Sequence, residues 1–258
     1  MKVVILAGGL GTRISEESSM KPKPMIEIGE MPILWHIMKI YSAYGYKEFI
    51  ICAGYKQHLI KEWFSNYYLY TSDVTFDLAR NNELIVHRKN SDTWKVTIVD
   101  TGLNVETGGR LKRIKDYIGK ETFMLTYGDA VGDINIKELV NYHKSHKKIG
   151  TISVYNFGQN KGVLDIENGK VKAFREKSTL DSELINIGFM VFEPNIFDYI
   201  NDDSTMLEKA PMEDLVKHGE LMAYTHKGFW QCMDTLREKQ KLEWLWNNGK
   251  APWKIWED

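Results

Sequence analysis

The sequence has very little cysteine and no long apolar run. Its two cysteines, Cys52 and Cys232, are too few for a disulfide framework or a Cys-x-x-Cys metal site. Its seven histidines include no His-Glu-x-x-His pattern. No stretch approaches the roughly 18 to 20 apolar residues of a membrane-spanning helix, and the apolar stretch at the amino terminus is too short for the core of a signal peptide. We therefore expect a reduced, soluble, cytoplasmic protein with no membrane partner.

An excess of charge of one sign is also missing. The 258 residues carry 34 lysines and arginines against 35 aspartates and glutamates, a formal net charge of -1. This balance gives no electrostatic reason to bind nucleic acid or an anionic membrane surface, so we expect neither partner. The length suffices for one large α/β domain, with or without a small appendage.

Apolar runs and helical periodicity alternate along the chain. Runs at 3–7 and 49–53 predict buried parallel strands, and periodic segments at 32–44 and 58–67 predict helices. A β-α-β-α start predicts a parallel sheet with right-handed crossovers. Further strands are predicted at 74–76, 84–86, 96–99, 123–126, 151–155, 163–166, 170–175, 184–192 and 221–226, further helices at 108–117, 136–145, 194–200, 207–218 and 235–247, and a hairpin turn at Asn168-Gly169.

This pattern predicts the fold class. We expect a single α/β domain over 1–258 with a doubly wound, mostly parallel, Rossmann-like sheet and a β-rich carboxyl-terminal half. No Pro/Ser-rich linker separates the halves, so the boundary between 1–147 and 148–258 is soft.

A glycine-rich loop follows the first predicted strand, at Leu6-Ala7-Gly8-Gly9-Leu10-Gly11-Thr12-Arg13. Glycines there let backbone N–H groups approach phosphate oxygens. The loop is no Walker A motif, because no Gly-Lys-Ser/Thr follows, and no dinucleotide fingerprint, because Ile14 takes the place of the third glycine. The Arg would supply a bidentate cation, but a plain strand-to-helix turn with a surface Arg explains the glycines about as well.

Lys21-Pro22-Lys23-Pro24-Met25 is the second candidate phosphate-binding element. The prolines make this segment rigid and extended, so the lysines are held at fixed positions. Together with the loop it predicts a polyphosphate site at the carboxyl end of the first strand, where ligands bind in open α/β sheets.

Several motifs, in order along the chain, resemble the sugar-1-phosphate nucleotidyltransferase family. The glycine-rich loop and Pro22-Lys23-Pro24-Met25 carry the resemblance first, and Ser15-Glu16-Glu17-Ser18 with the doubled Lys-Pro is similar to the branch that uses CTP and glucose 1-phosphate. The other motifs are Pro32-Ile33-Leu34-Trp35-His36-Ile37-Met38-Lys39, Asp100-Thr101-Gly102, Thr107-Gly108-Gly109-Arg110-Leu111-Lys112-Arg113, Thr126-Tyr127-Gly128-Asp129, Gly228-Phe229-Trp230-Gln231, Met233-Asp234-Thr235-Leu236-Arg237 and Gly249-Lys250-Ala251-Pro252-Trp253-Lys254. The resemblance therefore covers nearly the whole chain.

The resemblance implies Mg²⁺-assisted cytidylyl transfer. The phosphate of glucose 1-phosphate would attack the α-phosphorus of CTP and release diphosphate, and the CDP-glucose would supply cell-surface polysaccharide (O-antigen) synthesis. The implied catalytic residues are Arg13, Lys23 and Asp129; the implied Mg²⁺ ligands are Asp129 and Asp234; the implied nucleotide-binding residues are Leu6, Ala7, Gly8, Gly9, Leu10, Gly11, Thr12, Arg13, Lys23, Asn104, Gly109 and Gly128; and the implied sugar-phosphate-binding residues are Glu176, Lys177 and Asn186. Residues 148–258 would thus be the sugar-binding half, and a homo-oligomer, specifically a hexamer, is implied as well.

Plainer explanations exist for several of these residues. Asp129 follows a glycine at a strand end, where Asp is a common turn residue, and Asp234 could be the N-cap of the last helix. The tryptophans of the last fifteen residues, Trp244, Trp246, Trp253 and Trp256, belong either to a tail folded onto its own domain or to a subunit contact, where Trp is enriched. We expect the subunit contact.

The departures from the family pattern concern the acceptor side, at Lys161, Ser178, Ile187 and Cys232. Another phosphorylated acceptor therefore stays open, as does a uridylyl- or thymidylyltransferase acting on a hexose 1-phosphate. A non-catalytic nucleotide-binding subunit is the alternative from another class, and the intact pair of metal-binding aspartates argues against it.

Overall fold

The computed structural model describes residues 1–87, 92–156, 163–167, 170–175 and 184–257. Of Arg13, Ser15, Glu16 and residues 163–167 and 170–175 it describes only the backbone. The strands are β1 (Val3–Ala7), β2 (Glu27–Ile28), β3 (Met31–Pro32), β4 (Glu48–Ala53), β5 (Val74–Asp77), β6 (Glu83–Val86), β7 (Lys95–Asp100), β8 (Phe123–Tyr127), β9 (Ala130–Gly132), β10 (Gly150–Asn156), β11 (Val163–Glu167), β12 (Lys170–Arg175), β13 (Leu184–Phe192), β14 (Leu221–His226) and β15 (Trp230–Cys232). The α-helices are α1 (Ser15–Ser18), α2 (Ile33–Ala43), α3 (Gln57–Ser65), α4 (Tyr67–Thr71), α5 (Thr107–Arg113), α6 (Lys115–Ile118), α7 (Ile136–His146), α8 (Ala210–Lys217) and α9 (Leu236–Asn247), with 3-10 helices at Thr12–Ile14, Lys23–Met25, Leu78–Arg80 and Pro194–Tyr199. No helix in these ranges is long and apolar enough to cross a membrane.

Seven strands form the central sheet, in the order β14-β10-β13-β8-β1-β4-β7. β1 pairs in parallel with β8 on one side and β4 on the other, and β7 continues in parallel beside β4. β13 runs antiparallel to both of its neighbours, β8 and β10, whereas β14 is parallel to β10. Among the seven strands of this sheet, β13 alone therefore runs in the opposite direction. Strands from both sides of residue 147 therefore build one mostly parallel sheet, which confirms the predicted fold class.

Apolar side chains cover both faces of this sheet. All five residues of β1 are buried: Val3 and Ile5 belong to the core on the side of α2 and α7, and Val4 and Leu6 belong to the core on the side of α5 and α8. Each such Val, Ile or Leu contributes about 1.5 to 3 kcal/mol on burial. A strand buried on both faces needs an uninterrupted apolar run, and that is the pattern the sequence shows.

Three predicted helices differ from the structure. The helix predicted over 108–117 is divided at Ile114 into α5 and α6, the helix over 194–200 is a 3-10 helix, and the helix over 207–218 begins only at Ala210. Residues 207–209 form a turn instead, and the helix begins at Ala210 beside Pro211, because proline lacks a backbone N–H and is tolerated only in the first turn of a helix. The predicted turn at Asn168-Gly169 lies outside the described residues, although its flanking strands β11 and β12 pair antiparallel.

The carboxyl-terminal tail packs on its own chain. Trp253 is fully buried, and its ring lies 6.4 Å from Trp246 and 5.6 Å from Phe229 in stacked arrangements. Trp256 packs against the same core, whereas Trp244 is 55% exposed. The expected subunit contact is therefore wrong for Trp253, whose burial is satisfied within the chain.

Candidate active site

The carboxyl ends of β1 and β8 form the floor of an open cavity of about 340 Å³, called here the nucleotide cavity. The two strands are parallel neighbours with Leu6 opposite Tyr127, so the segments that follow them emerge side by side. The residues that line the cavity are Leu6, Ala7, Gly8, Gly9, Gly11, Thr12, Lys23, Pro24, Val105, Glu106, Thr107, Arg110, Tyr127, Gly128 and Asp129. This is the sheet edge at which the sequence predicts the phosphate site.

The glycine-rich loop needs glycine for close approach. A Cβ on Gly8 would lie 2.0 Å from Nη1 of Arg110, and Gly11 has a φ of +65°, in the left-handed region. Six residues of the loop line the cavity, whereas Leu10 is 50% exposed and is not among the lining residues. Arg13 lies in a 3-10 helix and is described by its backbone alone.

Lys23 joins the two predicted metal-binding aspartates. Its Nζ donates to Oδ2 of Asp129 at 2.6 Å and also to Oδ1 of Asp234. The side chain of Lys23 is 10% exposed, and the two carboxylates are 27% and 21% exposed. Pro22, the N-cap of the 3-10 helix, and Pro24, within that helix, flank this lysine, and the fixed φ of proline keeps the segment rigid. Three residues that are far apart in sequence therefore meet at one point beside the nucleotide cavity.

A short antiparallel ladder brings the aspartates together. Ala130 of β9 pairs with Cys232 of β15, and the backbone N of Met233 donates to the carbonyl of Asp129 at 2.8 Å. Asp234 then precedes α9, but the N-cap of that helix is Thr235, which forms a capping box with Glu238. The alternative that Asp234 is only a helix cap is therefore wrong.

The electrostatics of this cluster suit a divalent cation. Burial lowers the pKa of the Lys23 ammonium, but the carboxylates of Asp129 and Asp234 together raise it more, so the pKa lies above its ordinary value. In the described part of the chain, no group of three or more His, Cys, Asp or Glu residues is arranged to hold a metal ion by itself. Mg²⁺ commonly binds one or two carboxylates and completes its shell with water and substrate phosphates. The donor set therefore fits Mg²⁺ in the presence of a nucleotide.

Arg110 is a cavity residue that the sequence interpretation missed. It is 5% exposed, and its guanidinium donates to Oγ1 of Thr101 (2.9 Å) and to the carbonyls of Gly102 (2.7 Å) and Leu103 (3.1 Å). The available signal was its place within the motif 107–113, directly after the predicted nucleotide-binding residue Gly109. Arg110 places a permanent cation beside the glycine-rich loop.

The other predicted site residues lie in different surroundings. Gly128 lines the nucleotide cavity, and a Cβ there would lie 2.8 Å from the carbonyl oxygen of Leu6. Gly109 is buried against the backbone of Asp203, at 2.5 Å from a Cβ, and Asn104 is exposed; neither is among the lining residues. Glu176 and Lys177 lie outside the described residues.

A second cavity of about 330 Å³ shares Tyr127 with the nucleotide cavity. Its lining residues are Tyr127, Ile152, Asn186, Glu208, Met212 and Leu221. Asn186 is the one predicted sugar-phosphate residue whose side chain is described, and its Oδ1 accepts a hydrogen bond from the backbone N of Gly188 at 2.9 Å. The structure thus places this residue beside, and not within, the nucleotide cavity.

Comparison with known proteins gives consistent matches over the full length. Residues 2–258 match the model of the nucleotidyl transferase family. The sequence is 54% identical to a glucose-1-phosphate cytidylyltransferase of Salmonella typhi over 258 residues, 100% of both chains. It is 43% identical to a probable glucose-1-phosphate cytidylyltransferase of Bacillus subtilis (strain 168), over 99% of this chain and 100% of the other. A crystal structure of apo UDP-glucose pyrophosphorylase has the same fold, with a TM-score of 0.69 at 15% identity over 96% of this chain and 98% of that one.

Proposed function

Because this chain belongs to the nucleotidyl transferase family, we propose that it transfers a cytidylyl group from CTP to glucose 1-phosphate and forms CDP-glucose and diphosphate. The observation that carries the proposal is the 54% identity, over the full length of both chains, to a relative that bears the name of this activity. The nucleotide cavity supports it, because a glycine-rich loop, cations and carboxylates are the groups that a nucleoside triphosphate and its metal ion require.

The proposed reaction exchanges one phosphorus–oxygen bond for another. An oxygen of the sugar phosphate bonds to the α-phosphorus of CTP, and the bond from that phosphorus to the oxygen bridging the β-phosphorus breaks. Diphosphate leaves with this oxygen and the electron pair of the bond. A phosphate monoester has a second pKa of about 6 and is mostly a dianion at pH 7, so no general base is required. The protein must neutralise charge and align the attacking and leaving oxygens.

The chain's own residues divide these tasks. We propose that backbone N–H groups of Gly8, Gly9 and Gly11 bind phosphate oxygens, since these residues line the cavity directly after β1. Lys23 and Arg110 add two cations on the cavity wall, and we propose that the side chain of Arg13 adds a third. These groups would bind and orient the triphosphate.

Members of the family generally use a divalent metal ion, and we propose Mg²⁺ held by Asp129 and Asp234. When bound, the ion would neutralise phosphate charge and polarise the α-phosphoryl group. In the absence of the ion, the Lys23 ammonium contacts both carboxylates and keeps them at one point. The ion would displace this ammonium from their oxygens.

The acceptor would bind on the side of the second cavity. Asn186 lies there and offers an amide for hydrogen bonding to a sugar or its phosphate. Glu176 and Lys177 remain predicted acceptor residues. This arrangement would place the sugar phosphate next to Tyr127, at the boundary of the nucleotide cavity.

Diphosphate release tests the proposal directly. Purified protein is assayed with Mg²⁺ and each of CTP, UTP, dTTP, ATP and GTP, paired with a panel of sugar 1-phosphates. We expect release with CTP and glucose 1-phosphate, and mass spectrometry of the product should show CDP-glucose. Release with another nucleotide would change the proposed nucleotide substrate and keep nucleotidyl transfer as the reaction. Folded protein that binds CTP without turnover would replace the proposal with a regulatory role.

Variants of the aspartates test the metal assignment. Asp129→Asn and Asp234→Asn keep the side-chain size and should each lower kcat by at least about a hundredfold, because the lost charge weakens the metal-ion clamp. Asp116→Asn, on the exposed surface of α6, is the matched control and should retain wild-type turnover. Wild-type activity in either site variant would contradict the assignment.

We also propose a homo-oligomer, with a hexamer as the expected size and the cytoplasm as the expected location. Exposed apolar side chains on the β5–β6 hairpin, Phe76, Leu78 and Ile85, support self-association. Size-exclusion chromatography with light scattering measures the mass in solution, and a mass near 30.0 kDa, that of one chain, would contradict the oligomer.

A further inference from the structure

Glu208 connects the two cavities of the site, although it lies in none of the nucleotide-binding motifs. Its Oε1 accepts a hydrogen bond from the hydroxyl of Tyr127 at 2.6 Å, and its Oε2 accepts one from Oγ1 of Thr107 at 2.6 Å. Thr107 and Tyr127 line the nucleotide cavity, and Tyr127 and Glu208 line the second cavity. One carboxylate therefore spans the junction of the two.

The loop that carries Glu208 is fixed to the first turn of α5. The carbonyl of Thr205 accepts hydrogen bonds from the backbone N of Gly108 (2.9 Å) and of Gly109 (3.2 Å). The backbone N of Leu207 donates to Oγ1 of Thr107 at 2.9 Å. The Thr107 hydroxyl thus accepts from this loop and donates to its glutamate, so the loop and the cavity wall hold each other in register.

The ring of Tyr127 packs directly against Gly188. Gly188 has a φ of +82°, and a Cβ at this position would lie 2.3 Å from Cδ2 of Tyr127, so the ring packs where only glycine leaves room. The ring is fixed by packing on one side and by Glu208 at its tip.

From this geometry we propose that Glu208 is a positioning residue, which fixes Tyr127 at the boundary of the two cavities and thereby shapes the place where the acceptor sugar phosphate binds. The inference rests on the proposed function for the identity of the acceptor. Glu208 acts through Tyr127 and not on the reacting atoms, so its loss should affect the acceptor more than CTP.

Steady-state kinetics of Glu208→Ala, Tyr127→Phe and the double variant test this role. Each single variant should raise the KM for glucose 1-phosphate about tenfold, since each removes the charge-assisted hydrogen bond between Tyr127 and Glu208. The KM for CTP should change by less than about twofold, because Thr107 retains its bond to the loop. The double variant should be no worse than either single variant, because both changes remove the same bond.

Two further variants serve as controls. Glu208→Gln keeps the size and one acceptor oxygen and should give an intermediate KM, and it provides a folded variant where the alanine variant is unstable. Glu213→Ala, an exposed glutamate of α8 a few residues away, should behave as the wild type. Equal rises in both KM values together with a lowered Tm would identify a merely structural role and overturn the proposal, as would additive effects in the double variant.

A binding measurement separates this inference from the proposed reaction. With Mg²⁺ and a saturating CTP analogue that has a methylene group in place of the α,β-bridging oxygen, titration calorimetry with glucose 1-phosphate reports acceptor affinity without turnover. Affinity that falls about tenfold from wild type to Glu208→Ala supports the inference even where the reaction assay fails. Turnover with an unchanged acceptor KM in Glu208→Ala overturns the inference and leaves the reaction intact. A wild-type protein that does not bind glucose 1-phosphate overturns both.

Discussion

Replacing Lys23 with Met should destabilise the metal-free protein and improve the metal site. The ammonium lies 2.6 Å from Oδ2 of Asp129 and also contacts Asp234. Methionine keeps the apolar stem but leaves two carboxylates facing each other without this cation. Breaking a buried ion pair costs about 3 to 5 kcal/mol. Because the carboxylates are 27% and 21% exposed, solvent screening places the cost at the lower end, about 3 kcal/mol.

The assay is thermal unfolding with and without metal. A loss of about 3 kcal/mol in a domain of this size lowers the Tm by roughly 6 to 12 °C in EDTA. Mg²⁺ should restore part of this loss, because in Lys23→Met the ion no longer competes with an ammonium for the same oxygens. At a free Mg²⁺ concentration a hundred times the Kd, linkage raises the stability by about 2.7 kcal/mol. The Tm of the variant should therefore rise with MgCl₂ more than the Tm of the wild type.

Lys21→Met is the matched control, since Lys21 pairs with Glu27 at 2.7 Å on the surface, where the side chains are 33% and 50% exposed. An exposed pair contributes less than about 1 kcal/mol, so this variant should unfold near the wild-type temperature with no added response to Mg²⁺. The reasoning is refuted when Lys23→Met unfolds like the wild type in EDTA, or when MgCl₂ shifts both proteins equally.

Three further predictions follow from individual residues. Arg110→Lys should weaken CTP binding by about tenfold in titration calorimetry, because lysine keeps the charge but loses the planar fork that donates to three neighbouring oxygens. Gly128→Ala should lower the free energy of unfolding in urea by about 1 to 3 kcal/mol, because its Cβ would lie 2.8 Å from the Leu6 carbonyl oxygen. Burial lowers the pKa of His36 from 6.5 to about 4, so the folded state resists protonation; the stability present above pH 6.5 should decrease by about 3 kcal/mol as the pH falls to 4. Unfolding of the wild type and His36→Gln across that window measures this contribution.

Each of these has a control of the same chemical type. Arg113→Lys changes an exposed arginine of the same helix, and Gly9→Ala adds a Cβ with no atom within 4 Å. His58→Gln changes an exposed histidine. The first prediction is contradicted when Arg110→Lys binds CTP like the wild type. The second is contradicted when Gly128→Ala is as stable as Gly9→Ala. The third is contradicted when the stability of His36→Gln and of the wild type changes in parallel with pH.

Local sequence signals account for most of the fold. The apolar runs of β1 and β4 predict buried strands because both faces of a central parallel strand are covered, and the structure buries both. The start of α9 can also be predicted from the sequence, because Thr235 and Glu238 have the spacing of a capping box. The same spacing argues against the alternative that Asp234 caps this helix, so local information alone disfavours that alternative.

Long-range contacts explain what the sequence could not show. Glu208 bonds to Thr107 across 101 positions, and no periodicity or motif relates the two. Trp253 bonds to His36 across 217 positions, which shows that this tryptophan is buried within its own chain. Such pairings depend on how the finished sheet orders its strands, and composition or spacing does not encode that order.

The cluster of Lys23, Asp129 and Asp234 shows why a site can be predicted when its individual parts cannot. Each residue alone has a common explanation: a lysine between prolines, a turn after a strand, a loop before a helix. The parallel pairing of β1 with β8 and the ladder between β9 and β15 bring the two aspartates to the ammonium of Lys23. The family resemblance supplied that topology, because it fixed several motifs in one order, and so it located the residues inside the motifs. Glu208 lies outside every motif, and for that reason only the three-dimensional structure could connect it to the site.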